Sequence, residues 1–334
     1  MSSLEYPWPD TPQPGTTLDV APGVRWLSMP LPFQLNHINL WMLDEMIVDT
    51  GIGNSETRAL WEQILEKGKT VRRVILTHYH PDHAGNAAWL CKRFGAELWT
   101  TQGEYLTAHA VRSASAGYTA EAVLEVFRKN GLDAERLARM ATGRNRYAEL
   151  VPEFPLSYHR IIEGDRIRIG GRDWRGFIGH GHAPEHLSLF SKELNTVIAG
   201  DMLLSTISTN VSVWSIDPEG DPLRLFLESL ARYRELPEDV LVLPSHGKPF
   251  RGAHLRVEQL EKHHEARLAE LQDALKTGPK SAADLLGVLF RRPLDAHQTF
   301  FAMGEAIAHL HYLYYAGKAR RAVGKDGIMR YEPN

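Results

Sequence analysis

The segment Thr77-His78-Tyr79-His80-Pro81-Asp82-His83 constrains this chain more than any other. It packs three imidazoles and a carboxylate into six positions, directly after the β-branched run Arg72–Thr77. Residues two apart on an extended segment share a face, so His78 and His80 point the same way. Asp82 and His83 open a helix predicted over Asp82–Phe94 and can reach a second point nearby. Imidazole with carboxylate, and no thiolate, suits zinc, iron or manganese in an open site rather than a closed structural zinc site. The competing reading is a chance gathering of surface histidines in a polar loop, and the density of the pattern sets it aside.

One loop cannot fill two metal shells, so further ligands must come from elsewhere. Three candidates each follow a predicted strand. Gly179-His180-Gly181-His182-Ala183-Pro184 succeeds Asp173–Ile178, Gly200-Asp201 succeeds Thr196–Ala199, and Pro244-Ser245-His246-Gly247 succeeds Val240–Leu243. Strand ends on one rim of a sheet are where α/β proteins assemble sites. Singly each is an ordinary loop histidine or aspartate; with the first cluster they form a set.

The rest of the chain supplies an α/β rhythm. Predicted strands are Val24–Met29, His37–Leu43, Met46–Asp49 and Glu97–Thr100, with a helix over Ser55–Lys67 whose Leu60/Ile64 and Trp61/Leu65 pairs lie four apart. Residues 104–150 break the rhythm with a helical insertion carrying Tyr105, Tyr118, Phe127 and Tyr147, placed either to wall a pocket or to act as a buttress. Strands resume at Arg166–Ile169, Leu187–Phe190 and Val211–Trp214, and a helix is predicted over Pro222–Glu235. The domains expected are an extended proline-rich arm over 1–22, a catalytic domain over 23–252 and a small domain over 253–334. In the last, helices at His254–Lys276, Ser281–Phe290 and Asp295–Tyr315 precede two extended runs around Asp326-Gly327, a hairpin signal. Three helices and a hairpin make a winged-helix-like outline.

Composition excludes several classes. The net charge of −3 argues against a surface that is wholly a nucleic-acid footprint. No apolar run approaches the ~20 residues that span a bilayer, and the first residues lack the pattern of a signal peptide, so no membrane role is expected. The single cysteine, Cys91, allows no internal disulfide and fits the cytoplasm; as part of an amphipathic helix it reads as a structural thiol.

The order His-x-His-x-Asp-His, then Gly-His, Gly-Asp and Ser-His-Gly resembles the metallo-β-lactamase superfamily, in the hydrolase branch that includes glyoxalase II, over roughly residues 23–250. Val48-Asp49-Thr50-Gly51 resembles its first motif, whose aspartate organises loops. The resemblance implies an αββα sandwich, here with the helical insertion and the winged-helix-like domain. It implies two divalent ions, zinc foremost with iron or manganese as alternatives. His78, His80 and His182 would hold one, Asp82, His83 and His246 the other, and Asp201 would bridge. His182 fits the motif where His180 does not, and His186 is expected to pack or hydrogen-bond behind the ligands. Ala183 and Glu185 depart from the Thr and Gly that relatives often carry, and no counterpart to the glutathione-binding residues of glyoxalase II is found.

The chemistry implied is hydrolysis by hydroxide held between the ions, with Asp82 also serving catalysis by orienting the nucleophile and passing a proton to the leaving group. The expected substrate is a small-molecule ester, thioester or lactone. Phosphodiester cleavage in nucleic acid is the runner-up: residues 316–334 carry Lys318, Arg320, Arg321, Lys325 and Arg330 against Asp326 and Glu332. A packing or homodimer role is the plainer reading of that segment. A mononuclear iron sulfur dioxygenase is a further alternative.

Overall fold

A computed structural model describes residues 3–33, 35–65, 69–115, 117–141 and 146–334. These fall into two compact units, each taken by itself below: residues 1–113, 146–209 and 229–257 in the first, and 114–145, 210–228 and 258–334 in the second. Residues 114–145 of the insertion therefore group with the C-terminal segment, while 104–113 and 146–150 stay with the first unit.

The first unit is built on two sheets. One has β1 (Leu18–Ala21), β2 (Val24–Pro30), β3 (His37–Leu43), β4 (Met46–Val48), β5 (Arg73–Ile75), β6 (Glu97–Thr100) and β7 (His159–Arg160) in that spatial order. The pairs up to β4 are antiparallel; β4, β5, β6 and β7 run parallel. The other has β8 (Arg166–Ile169), β9 (Arg172–Gly179), β10 (His186–Ser191), β11 (Thr196–Gly200) and β12 (Leu241–Pro244), also neighbour to neighbour. β1 lies inside the stretch expected to be an extended proline-rich arm, because Leu18–Ala21 can pair with β2 across a turn at Gly23, whose φ is +77°.

Strand alternation decides what lies between the sheets. In β8 the arginines face out and Ile167 and Ile169 face in. They meet Trp26, Trp41, Val48 and Ile75 from the first sheet, with Trp174, Leu189, Ile198 and Leu243 from their own. The opposite face of the first sheet, with Leu40, Ile47 and Val74, is covered by α1 (Ser55–Ile64) through Trp61 and Ile64 and by α3 (Ala87–Phe94) through Ala87 and Leu90. The outer face of the second sheet meets the 3₁₀ turn Arg232–Glu235, where Tyr233 packs edge-on against Phe177 and shares a 2.7 Å hydrogen bond with Ser188. The layers are αββα. Each fully buried aliphatic or aromatic side chain here contributes roughly 1.5–3 kcal/mol.

Local departures have local causes. The helix expected over Asp82–Phe94 is two pieces, α2 (Pro81–Ala84) and α3, separated at Gly85-Asn86. A Cβ on Gly85 would lie 2.3 Å from the Gly53 nitrogen, so glycine here permits backbone to touch backbone. The helix predicted to Lys67 ends at Ile64; Glu66 and Lys67 lie outside the described residues. Cys91 sits in α3, where burial pushes its thiol up to about 12, the state of an inert structural cysteine.

The insertion holds α4 (Gln102–Arg112) and α7 (Arg146–Leu150), both of the first unit, and α5 (Ala120–Lys129) and α6 (Ala134–Ala141), both of the second. Later helices are α8 (Pro222–Ala231), α9 (Ala253–Leu275), α10 (Leu286–Leu289) and α11 (Ala296–Tyr315), followed by the antiparallel pair β13 (Ala319–Val323) and β14 (Met329–Pro333). α11 opens on a capping box: Asp295 accepts from the Gln298 amide at 2.8 Å and Gln298 returns the bond. Val211–Trp214, expected as a strand, is not one. Val213 donates to the Gly304 carbonyl of α11, and the chain follows that helix instead of a sheet.

One buried side chain ties the first sheet to the loop after β12. Asn39 accepts from Trp26 Nε1 at 2.8 Å and donates to the Pro244 and Gly247 carbonyls at 2.8 and 2.7 Å. Asn39→Ala removes the partner of the buried Trp26 indole and of two carbonyls. It is expected to lower unfolding free energy by about 2–3 kcal/mol, read from urea denaturation; a change below measurement error would refute this tie.

Candidate metal centre

All seven side chains singled out in the sequence lie in the first unit, at one rim of the sandwich. His78 and His80 follow β5, and Asp82 and His83 form part of α2. His182 lies in the turn between β9 and β10, Asp201 directly follows β11, and His246 follows β12. Their ligand atoms form two groups, His78, His80, His182 and Asp201 in one and Asp82, His83 and His246 in the other, each within 4.8 Å. His180 joins neither; its Nδ1 lies 2.6 Å from the Pro184 carbonyl.

In the first group His78 Nε2 lies 2.9 Å from His80 Nδ1 and 3.2 Å from His182 Nε2, and His182 Nε2 lies 3.5 Å from Asp201 Oδ2. In the second, Asp82 Oδ2 lies 3.4 Å from His246 Nε2 and 3.9 Å from His83 Nε2. Asp201 Oδ1 is 3.6 Å from His83 Nε2 and 3.7 Å from His246 Nε2. One carboxylate thus turns an oxygen to each group. Ligand atoms about 2.0–2.1 Å from a tetrahedral zinc would stand about 3.3–3.4 Å apart, and these spacings bracket that figure.

The backbone and neighbouring side chains aim the lone pairs inward. Asp49, with φ +60°, accepts from the Thr77 amide and hydroxyl, both at 2.8 Å, and lies 2.8 Å from His83 Nδ1. With its proton on Asp49, the Thr77 hydroxyl accepts from His78 Nδ1 at 3.0 Å. His246 Nδ1 donates to the His37 carbonyl at 3.0 Å. In each ring the other nitrogen, Nε2, is left facing the cluster, the arrangement by which outer hydrogen bonds fix a ligand's tautomer. His83 Nε2 and Asp201 Oδ1 are buried with no hydrogen-bond partner. Orphaned buried polar atoms are costly, and a cation shared among these donors satisfies them. The donor set fits divalent metal.

The two groups differ electrically. Burial, reinforced by neighbouring imidazoles, drives His78 well below its ordinary value and His80 to about 3, so both rings are neutral. Burial also acts to lower His83, but Asp49, Asp82 and Asp201 outweigh it and raise this ring well above 6.5. Burial works the same way on His246, where Asp201 and Asp82 again outweigh it and the ring is raised. Burial would raise Asp82, yet His83 and His246 hold it at about 2.

Residues behind the candidate ligands support them, His186 as the sequence leads one to expect. His186 Nε2 accepts the Asp201 amide at 3.1 Å, fixing the backbone at Asp201. Gly200, with φ +55°, makes this possible, since a Cβ there would lie 2.4 Å from the His186 ring. Buried Glu104 accepts from the Tyr79 amide at 2.9 Å and the Glu185 amide at 2.6 Å; burial pushes its carboxyl up to about 8. Glu185 turns away from the cluster to accept from the Gly103 amide at 2.7 Å. Asn39 and Glu104 are legible only once the loops they join are in place.

The profile of the metallo-beta-lactamase superfamily matches residues 44–246, and that of a metallo-beta-lactamase-like C-terminal domain matches residues 268–334. The chain belongs to the metallo-beta-lactamase superfamily. It is 46% identical to a beta-lactamase domain protein from Burkholderia ambifaria, covering 99% of this chain and 98% of that one with a TM-score of 0.93. A metallo-beta-lactamase family protein from Thermus thermophilus is 31% identical, over 95% and 100% of the two chains, with a TM-score of 0.80. The protein named Probable metallo-hydrolase YqjP of Bacillus subtilis (strain 168) is 26% identical over 307 residues, 86% of this chain and 91% of that one.

Metal uptake is expected to release protons near pH 7 from the second group, since His83 and His246 are held protonated in the metal-free protein while His78 and His80 are already neutral. Affinity should therefore rise with pH until the raised imidazole pKa values are passed. Calorimetry in buffers of different ionisation enthalpy measures this release, and His246→Ala should reduce it. Equal release from that variant would be the contrary result.

Proposed function

We propose that the chain is a dinuclear metal-dependent hydrolase of small-molecule esters, thioesters or lactones. The carrying observation is Asp201, whose oxygens divide between two ligand groups at 3.5 Å and at 3.6–3.7 Å. In this reading His78, His80 and His182 hold one ion, Asp82, His83 and His246 the other, and Asp201 bridges. Zinc is the ion the imidazole-rich donor set suits best. Two such ions supply a water whose pKa falls from 15.7 towards about 7 and a Lewis acid for a carbonyl oxygen.

The chain's own groups do the rest. Neutral His78 and His80 offer lone pairs without first losing protons. Asp82, ionised at neutral pH and the more accessible of the two carboxylates, is placed to orient the nucleophile and hand its proton to a leaving group. Asp49 and Thr77 keep the imidazoles from turning as charge develops.

Support for an acyl substrate comes from two more distant relatives. The atrochrysone carboxyl ACP thioesterase of Aspergillus fumigatus is 23% identical over 295 residues, 82% of this chain and 75% of that one. The hydroxyacylglutathione hydrolase GloC of Haemophilus influenzae is 23% identical over 218 residues, 64% of this chain and 86% of that one. The phosphodiester reading loses ground at β13–β14, where Arg320 pairs with Glu332, Arg330 with Asp326 and Arg321 with Glu219. Those guanidinium groups are already engaged. Three aromatics of the insertion make internal contacts: Tyr105 stacks on Tyr158 at 3.9 Å, Phe127 meets Phe300, and Tyr147 donates to the Tyr79 carbonyl. These contacts are those of a buttress.

The metal-reconstituted protein should turn over lactones, acyl thioesters or aryl esters in a screen that also contains phosphodiesters, and should carry two ions per chain. Asp201→Ala is expected to lower turnover by at least on the order of 10³-fold and to reduce bound metal. Turnover of phosphodiesters alone would replace the substrate class. A single iron with oxygen consumption would replace hydrolysis by thiol oxidation, and full activity in Asp201→Ala would end the two-ion reading.

A further inference from the structure

Glu104 belongs to no ligand group and lies in α4, beyond the sequence motifs, yet it is only 1% exposed. Its Oε2 accepts the Tyr79 amide at 2.9 Å and its Oε1 the Glu185 amide at 2.6 Å. Tyr79 stands between His78 and His80, and Glu185 stands three residues after His182. The Tyr79 carbonyl is fixed in turn by the Tyr147 hydroxyl at 2.6 Å. Both backbone groups of that one residue are therefore clamped by buried side chains.

We propose that Glu104 is a positioning residue for the first ion, setting the spacing between the His78-Tyr79-His80 loop and the His182–Glu185 loop. The assignment rests on the dinuclear reading above. Three imidazoles of the first group come from these two loops and from nowhere else. The second group has anchors of its own: the Thr50 amide and hydroxyl both reach the His83 carbonyl at 2.7 Å, and the His37 carbonyl holds His246. Asp49 and Thr77 serve both groups, through His83 and His78. The bonds of Glu104 reach only the two loops of the first, so loosening them should release one ion before the other.

The chemistry of the brace explains why an acid stands there. Each of its oxygens keeps an acceptor lone pair in either protonation state, so it can take two amide protons from two separate loops. A glutamine of the same shape offers one acceptor and one donor, and its amide would oppose one of the two N–H groups. Burying a carboxyl carries a cost that a simple hydrophobic contact would avoid; here it serves the amides of two separate loops.

The test compares wild type, Glu104→Gln, His80→Ala and His246→Ala, each loaded with Co(II) and titrated with a mild chelator. The two histidine variants give the spectral signature of losing each group. Glu104→Gln should weaken one of the two ions on the order of 10-fold, the low end for partners that support ligands from outside, and its partly stripped spectrum should match that of His80→Ala. Tyr147→Phe, which loosens the same residue while keeping the acid, should shift the same ion less and serves if Glu104→Gln does not fold. Melting of the metal-free proteins reports general damage. Equal loss of both ions, a spectrum matching His246→Ala, or unchanged affinity in both variants overturns the proposal. A wild-type protein that binds only one ion overturns the dinuclear reading itself, a result the wild-type titration alone reveals.

Discussion

Mutual repulsion and desolvation at one rim of the sandwich govern this structure. Five imidazoles and two carboxylates each come within 4 Å of a neighbour in the set, where solvent access is small. Taken without cations, such a group must shed or trap protons: burial empties His78 and His80 of the first group, and carboxylates fill the rings of the second. Buried charge is tolerated only when paired. The fold around the rim consequently reads as scaffolding that keeps mutually unfavourable groups together until a metal reconciles them.

That scaffolding is made mainly of backbone held by buried polar side chains. Asp49 joins β4 to the loop after β5 by accepting from Thr77. Asn39 joins β3 to the loop after β12, and Glu104 joins the loops after β5 and β9. His186 steadies the turn after β11. Each links segments distant in sequence, so the site is rigid because of long-range hydrogen bonds, more than through the packing of any one helix. The two sheets supply the fixed strand ends from which these links are made.

The sequence made the candidate ligands legible because metal chemistry demands particular residue types at strand ends, and His78, His80, Asp82 and His83 crowd into one loop. The strands were legible where β-branched residues or alternation were strong, as in β8 with its outward arginines and inward isoleucines. What escaped was whatever depended on a partner far along the chain. The two-residue β7 has no periodicity to detect, and Val211–Trp214 has strand composition but lies against Gly304 of α11. The break between α2 and α3 follows from Gly85 meeting Gly53, a contact that no local pattern announces. Asn39 and Glu104 look in sequence like ordinary polar residues of a strand and a helix.

The contact between Gly103 and Glu185 has a consequence for descent. A Cβ at 103 would come within 2.9 Å of the Glu185 side chain, and the Gly103 amide is what that carboxylate binds. Any larger residue at 103 presses on the acid, while loss of the acid strips the start of α4 of an anion at its positive end. The two positions are thus coupled, and a lineage that replaces one meets a changed constraint at the other.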